Sequence, residues 1–91
     1  MISETTIQPA EPSKFLKKLC HHFSLKIPAR YDTERGHAEF VMGVCEMEVQ
    51  GESLYLKASA ESEDALETVK GIVGSHIELF GKRENIKVTW K

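Results

Sequence analysis

The chain has 91 residues, which is enough for one domain with a modest core that needs neither disulfides nor a metal. Its hydrophobic fraction of 41% is ordinary for a globular protein, and its net charge of −2 argues against binding to a nucleic-acid backbone. No apolar run approaches the roughly 20 residues of a membrane span, and the N-terminus lacks the features of a signal peptide. We therefore expect a cytoplasmic protein that binds neither nucleic acid nor a membrane.

The first predicted element is a helix. Residues 1–11 are polar and show no hydrophobic period, which predicts a mobile N-terminal arm before a single domain at residues 12–91. The helix is predicted to begin at Pro12 with Ser13 as its N-cap, and one of its faces is apolar. Three lysines lie on the opposite face and form either a solvated surface or a basic docking patch: Lys14, Lys17 and Lys18.

Residues 25–60 predict a meander of four short strands with one apolar and one polar face. Three turns set its register. Gly51 begins a two-residue type II′ turn, which places Val49 opposite Leu54. The other two turns, at Asp32–His37 and at Gly43, are predicted to place two further pairs opposite each other: Tyr31 with Ala38, and Met42 with Cys45.

A second helix and a fifth strand complete the predicted fold. The helix is capped by Ser62 and ends near Phe80, before Gly81. Residues 86–90 alternate apolar and polar, which predicts a strand whose Trp90 is largely buried. The pattern indicates an α+β fold of helix, four-strand meander, helix and strand. Its five-stranded, mainly antiparallel sheet carries two helices on one face, and we expect the strand order 5-1-2-3-4.

That strand order leaves one sheet edge exposed. The edge is the strand at residues 54–58, which has no proline or bulge to guard it. Gly71 and Gly74 lie on one flank of the second helix, where a partner could approach closely. Both surfaces could support a symmetric dimer. The expected partner is therefore either an unknown protein or a second copy of the chain.

Several segments carry a resemblance to a known family. The more specific of them are Leu19-Cys20-His21-His22-Phe23 and His76-Ile77-Glu78-Leu79-Phe80-Gly81-Lys82-Arg83-Glu84. Over about residues 9–90 the sequence resembles the small bacterial proteins grouped as domain of unknown function 2218. The resemblance implies a stand-alone bacterial cytosolic domain, assigns no activity, and suggests a link of some relatives to iron handling.

Cys20, His22 and Cys45 form the first candidate site. The predicted topology brings both cysteines to the same end of the sheet, with His22 close by. Thiolate and imidazole are ligands of zinc and other transition metals, and a cysteine near a histidine can also be a reactive thiol. The alternative is that both cysteines are small core hydrophobes, as free cysteines often are.

His76 is the second candidate, because it replaces an expected leucine in the apolar stripe of the second helix. It is either a core histidine bonded to backbone or a carboxylate, or an acid–base group or ligand. His76 lies about 20 Å along the helix from Ser62. We therefore expect it at the end of the sheet away from the cysteines, near the Asp32–His37 turn. Any partner of His76 is expected among the residues of that turn or at Arg83 and Glu84.

No phosphate-binding glycine loop, nucleophile motif or pair of carboxylates on an apolar face is present. The sequence therefore favours a non-enzymatic binding or interaction module. The alternative is a metal-binding or thiol-redox protein that uses Cys20, His22 and Cys45, with zinc or iron as the cofactor.

Overall fold

The computed structural model describes residues 1–91 as one antiparallel sheet with two helices on one face. The elements in chain order are β1 (Ile2–Ile7), α1 (Pro12–Ser24), β2 (Ala29–Tyr31), β3 (Arg35–Phe40), β4 (Gly43–Gln50), β5 (Ser53–Ala60), α2 (Glu63–Phe80) and a 3-10 turn (Lys82–Glu84). The strand order is β1-β5-β4-β3-β2. The predicted α+β class is therefore confirmed. Neither helix is long and apolar enough to cross a membrane.

The prediction of a mobile arm over residues 1–11 is wrong, because residues 2–7 form β1 and pair with β5. Ser3, Thr5 and Ile7 alternate toward the helices and are buried. The Ser3 hydroxyl donates to the carbonyl of Lys91 at 2.7 Å, and the Thr5 hydroxyl donates to that of Thr89 at 2.9 Å. These bonds satisfy the two buried hydroxyls. The inner face of β1 can therefore include polar residues, and its sequence shows no amphipathic pattern.

The C-terminal residues do not form the predicted fifth strand beside residues 27–31. They run instead along the free side of β1, where Glu4 and Lys91 exchange two backbone hydrogen bonds of 3.2 and 2.8 Å. Trp90 packs against the core but is only partly buried. A Cβ on Gly74 would lie 3.4 Å from the Trp90 Nε1, an ordinary van der Waals distance, so the indole packs directly over this part of α2.

The predicted exposed edge at residues 54–58 is also wrong, because β1 covers β5 over its whole length. Gly74, part of the second predicted self-association surface, is covered by the C-terminal segment. The exposed-edge argument for a dimer therefore no longer applies, while Gly71 remains exposed on α2. The open edge of the sheet is β2, at the opposite side.

The register of the last hairpin is confirmed. Val49 lies opposite Leu54, and Gly51 has a φ of +62°, a left-handed conformation that glycine adopts at little cost. In the preceding hairpin Cys45 faces Ala38 and not Met42, because the turn lies at residues 41–42. Gly43 begins β4, where a Cβ would lie only 2.4 Å from a backbone carbonyl oxygen of β5.

The first hairpin is tighter than predicted, with Tyr31 opposite Gly36 and not Ala38. The Asp32 carboxylate accepts the backbone N–H groups of Glu34 and Arg35, both at 2.8 Å. These bonds close the turn, and they lower the pKa of Asp32. Both register errors shift pairs by an even number of residues, so the assignment of side chains to the two faces is unchanged.

The helix ends follow two different rules. Ser62 caps α2 as predicted by accepting the Ala65 N–H at 3.1 Å, and Gly81 ends that helix. Ser13 is not the N-cap of α1, because Glu11 holds that position and Pro12 begins the helix. The Ser13 hydroxyl donates instead to the carbonyl of Thr33 at 2.7 Å and ties α1 to the turn after β2.

We predict that removal of Trp90 and Lys91 lowers the free energy of unfolding by about 3 kcal/mol, since it deletes an aromatic side chain and leaves Ser3 and Glu4 without partners. A urea titration measures this change. Lys91→Ala, which keeps the backbone bonds, serves as the control and should be close to neutral. An unchanged denaturation midpoint for the truncated chain would mean that the C-terminus does not stabilise β1.

Candidate functional site

The two cysteines lie in the core between the helices and the sheet. Both side chains are 0% exposed, and the Cys20 Sγ is 3.5 Å from the Met47 Sδ. Burial raises the pKa of the Cys20 thiol to about 12 and raises that of Cys45 as well. Both groups are therefore neutral thiols at physiological pH, which is the environment of a structural cysteine.

Cys20 packs directly on the backbone of β3. A Cβ built on Gly36 would lie 2.5 Å from the Cys20 Sγ and 2.8 Å from a methyl carbon of Leu16. The glycine thus leaves the space that the sulfur occupies.

His22 is directed away from this core and toward α2. Its ring lies 4.8 Å from that of His76 and 5.4 Å from that of Phe80, measured between centroids. The expectation that His76 lies at the far end of the sheet is therefore wrong. That expectation took α2 to carry His76 about 20 Å from Ser62 to the other end of the sheet. In the structure the C-terminal turns of α2 pack against α1, where His22 and Lys18 contact Phe80.

His76 has a structural hydrogen bond. Its Nδ1 donates to the carbonyl of Ile72 at 2.7 Å, so the ring is held on its own helix. Arg83, its expected partner, is exposed and forms no ion pair, and the Glu84 carboxylate accepts the Ala10 N–H. The structure brings His22 and His76 together, but Arg83 and Glu84 bond elsewhere or face solvent.

The structure contains no group of three or more His, Cys, Asp and Glu side chains that could hold a metal ion. Cys20 and Cys45 lie in the core, while the His22 ring packs between the helices. The three residues of the predicted metal site are therefore not gathered around one point.

The outer face of the sheet carries charges that are paired with one another. His37 lies between Glu46, on the neighbouring strand, and Glu39, whose oxygen is 3.2 Å from the His37 Nε2. Arg35 pairs with Glu48 at 3.3 Å. Tyr55 donates to the Glu4 carboxylate, a bond that, with burial, raises the pKa of the phenol to about 12. This face is largely satisfied within the chain.

The sheet edge formed by β2 differs from the outer face because some of its backbone groups have no partner. Backbone hydrogen bonds join Pro28 to Glu39 and Asp32 to Arg35, so the alternate residues, Ala29 and Tyr31, direct their N–H and C=O groups away from β3. None of these four groups has a hydrogen-bond partner in the chain. The β2 strand is thus an open edge, and Tyr31 is 41% exposed beside it.

The segment that leads into this edge and forms it is basic. Residues 12–31 contain five of the twelve lysines and arginines and none of the fourteen acidic residues, so the segment carries +5 and the rest of the chain −7. Lys17 lies one turn after Ser13 on the flank of α1 that faces the turn after β2. It forms no ion pair, and neither does Lys26 or Arg30. We call Lys17, Lys26, Arg30 and the open backbone of residues 29–31 the β2 edge.

The geometry defines a small α+β domain with a filled core, a charge-paired sheet face and one open basic edge. The chain belongs to the family described as uncharacterized protein conserved in bacteria, DUF2218, whose model matches residues 4–91. The sequence resemblance is therefore confirmed. No curated protein matches the chain.

The fold also occurs in a solved structure. The NMR structure of PA4090 from Pseudomonas aeruginosa is similar to this chain with a TM-score of 0.81 and 20% sequence identity. The similarity covers 99% of this chain and 94% of that protein. At this identity the comparison supports the fold alone.

We predict that Gly36→Ala lowers the free energy of unfolding by about 2 kcal/mol, because the new methyl group overlaps the Cys20 sulfur. Gly71→Ala is the matched control, since a Cβ there has no atom within 4 Å. The control should be neutral or stabilising by up to about 1 kcal/mol, the difference in helix propensity. Thermal melts of both variants measure the effect. Equal stability of the Gly36 variant and the wild type would contradict the packing described for Cys20.

We predict that both thiols react slowly with iodoacetamide at about pH 8 in the folded protein, where a pKa of about 12 leaves roughly one Cys20 thiol in ten thousand ionised. Mass spectrometry after timed alkylation, with a urea-unfolded sample as the control, measures the rates. Elemental analysis of untagged protein tests the metal alternative in parallel. One equivalent of metal that disappears in Cys45→Ser would establish a metal site in place of core thiols.

Proposed function

We propose that this chain is a non-enzymatic interaction module that binds an acidic segment of a partner protein at the β2 edge. The observation that carries the proposal is the combination of open backbone groups and unpaired basic side chains at one edge of the sheet. Lys17, Lys26 and Arg30 have no acidic partner in the chain, although the chain contains more acidic than basic residues. Charges in such a patch attract an oppositely charged surface and orient it during encounter.

The other surfaces support this choice by contrast. On the outer sheet face, carboxylates contact the ring of His37 and the side chain of Arg35, so a partner would have to displace existing contacts. At the opposite edge, Lys91 already occupies the backbone groups of Glu4. The β2 edge lacks both obstacles.

Charge also distinguishes among possible partners. A two-fold dimer through β2 would bring two segments of charge +5 together, with Arg30 close to its symmetry mate, which disfavours a second copy. A nucleic acid would meet the basic segment but would be repelled by the remaining −7. A short acidic segment of a protein can contact the basic edge alone, which favours it over both.

We predict that a fluorescein-labelled deca-glutamate peptide binds the wild-type protein, with an affinity that falls about tenfold between roughly 20 and 200 mM salt as the charges are screened. The triple variant Lys17→Glu, Lys26→Glu and Arg30→Glu should lose this binding. Fluorescence anisotropy measures both effects.

A control with the same change in net charge is available among residues outside the β2 edge: Lys82→Glu, Lys87→Glu and Lys91→Glu. This control should bind the peptide with an affinity within about twofold of the wild type if the effect is local. Absence of binding to the wild type, or equal loss in the two triple variants, would overturn the proposal. Tighter binding of a single-stranded oligonucleotide of equal charge would replace a protein partner with a nucleic acid.

A further inference from the structure

The backbone geometry of β2 specifies more than a charged patch. Because Ala29 and Tyr31 are two residues apart on one strand, their outward N–H and C=O groups have the spacing that an added strand requires. Resting on the proposed function, we propose that the acidic segment binds in an extended conformation as a sixth strand of the sheet. The added strand would form up to four backbone hydrogen bonds with these two residues, a recognised mode of peptide capture.

The two sides of the added strand meet different chemistry. Arg30 projects to the outer face of the sheet, opposite in direction to its neighbours in β2. Tyr31 projects to the helix side, and 41% of its surface is exposed. A segment that alternates acidic and apolar residues would therefore place carboxylates beside Arg30 and apolar side chains against the Tyr31 ring. The geometry thus favours an alternating acidic and apolar sequence over a uniformly acidic one.

The length and composition of the edge restrict what can join it. β2 has three residues, and only Ala29 and Tyr31 direct backbone groups away from β3, so an added strand pairs with residues 29–31 only. A short edge that carries a positive charge resists pairing with other copies of itself. So few backbone bonds contribute little affinity, so binding also needs the basic side chains. A strand that binds here is therefore expected to be acidic.

The proline variant Ala29→Pro separates the strand mode from simple charge attraction. Its missing N–H group is one that points away from β3, so the pairing within the sheet keeps its hydrogen bonds. Ala29→Val is the matched control because it retains the N–H group and suits a strand. The probe is a capped peptide of seven residues that alternates glutamate and valine, and its control replaces the valines with proline.

We expect Ala29→Pro to weaken binding of the glutamate–valine peptide about tenfold, the effect of losing one hydrogen bond, while Ala29→Val binds as the wild type does. The proline-containing peptide should bind the wild type more weakly than its valine counterpart. In the wild type, NMR-detected hydrogen exchange of the Ala29 and Tyr31 amides should slow when the valine peptide is added. The exchange measurement remains decisive if the proline variant does not fold.

The outcomes distinguish this inference from the proposed function. If acidic peptides bind but the exchange of the two amides is unchanged, strand addition is wrong and charge recognition stands. Equal affinity of the two peptides would lead to the same conclusion. If neither of these peptides nor deca-glutamate binds the wild type, both proposals fail.

Discussion

The pairing of β1 with β5 is the interaction on which the rest of this fold depends. It places β5 inside the sheet, where Leu54, Leu56 and Ala58 are completely buried, and it gives the C-terminal segment an edge to bond to. Because the C-terminal residues bond to β1 at Glu4, the strand edge without such a cover is β2, at the opposite side of the sheet.

Residues with a strong local preference were predictable from the sequence. Gly51 marks its turn because glycine tolerates a positive φ, and Ser62 marks the start of α2 because its hydroxyl accepts a free N–H group. The inner and outer faces of β4 and β5 follow from a two-residue period that survives a shift in register. In each case, the information lies within a few residues of the feature it determines.

Features that depend on distant partners were not predictable in this way. Ser3 and Thr5 are polar, and their burial is explained only by carbonyls at the other end of the chain. Gly43 resembles a turn residue but serves a close approach to β5. The contact between His22 and His76 depends on where two helices of unequal length cross, which neither helix encodes by itself.

The candidate site shows the same division. The sequence already contains a basic segment, the twenty residues 12–31 without an acidic side chain. The net charge of −2 for the whole chain does not reveal it. The lysines of α1 were recognised as a possible docking patch, whereas the open backbone beside them became visible only when the strand order was known. Cysteine and histidine drew attention because of their chemistry, yet in this fold they fill space between apolar side chains.

The contacts between the two ends of the chain have a consequence for its synthesis. Ser3 bonds to a residue 88 positions later, so β1 lacks part of its lining until residue 91 has been synthesised. A ribosome-bound chain can form the hairpins of β2 to β5 early, since these strands are neighbours in sequence. The cover of β1, by contrast, can dock only after residues 89–91 have left the ribosome. During that interval the outer edge of β1 has no cover, which leaves the nascent chain open to association through a strand whose edge is bonded in the mature protein.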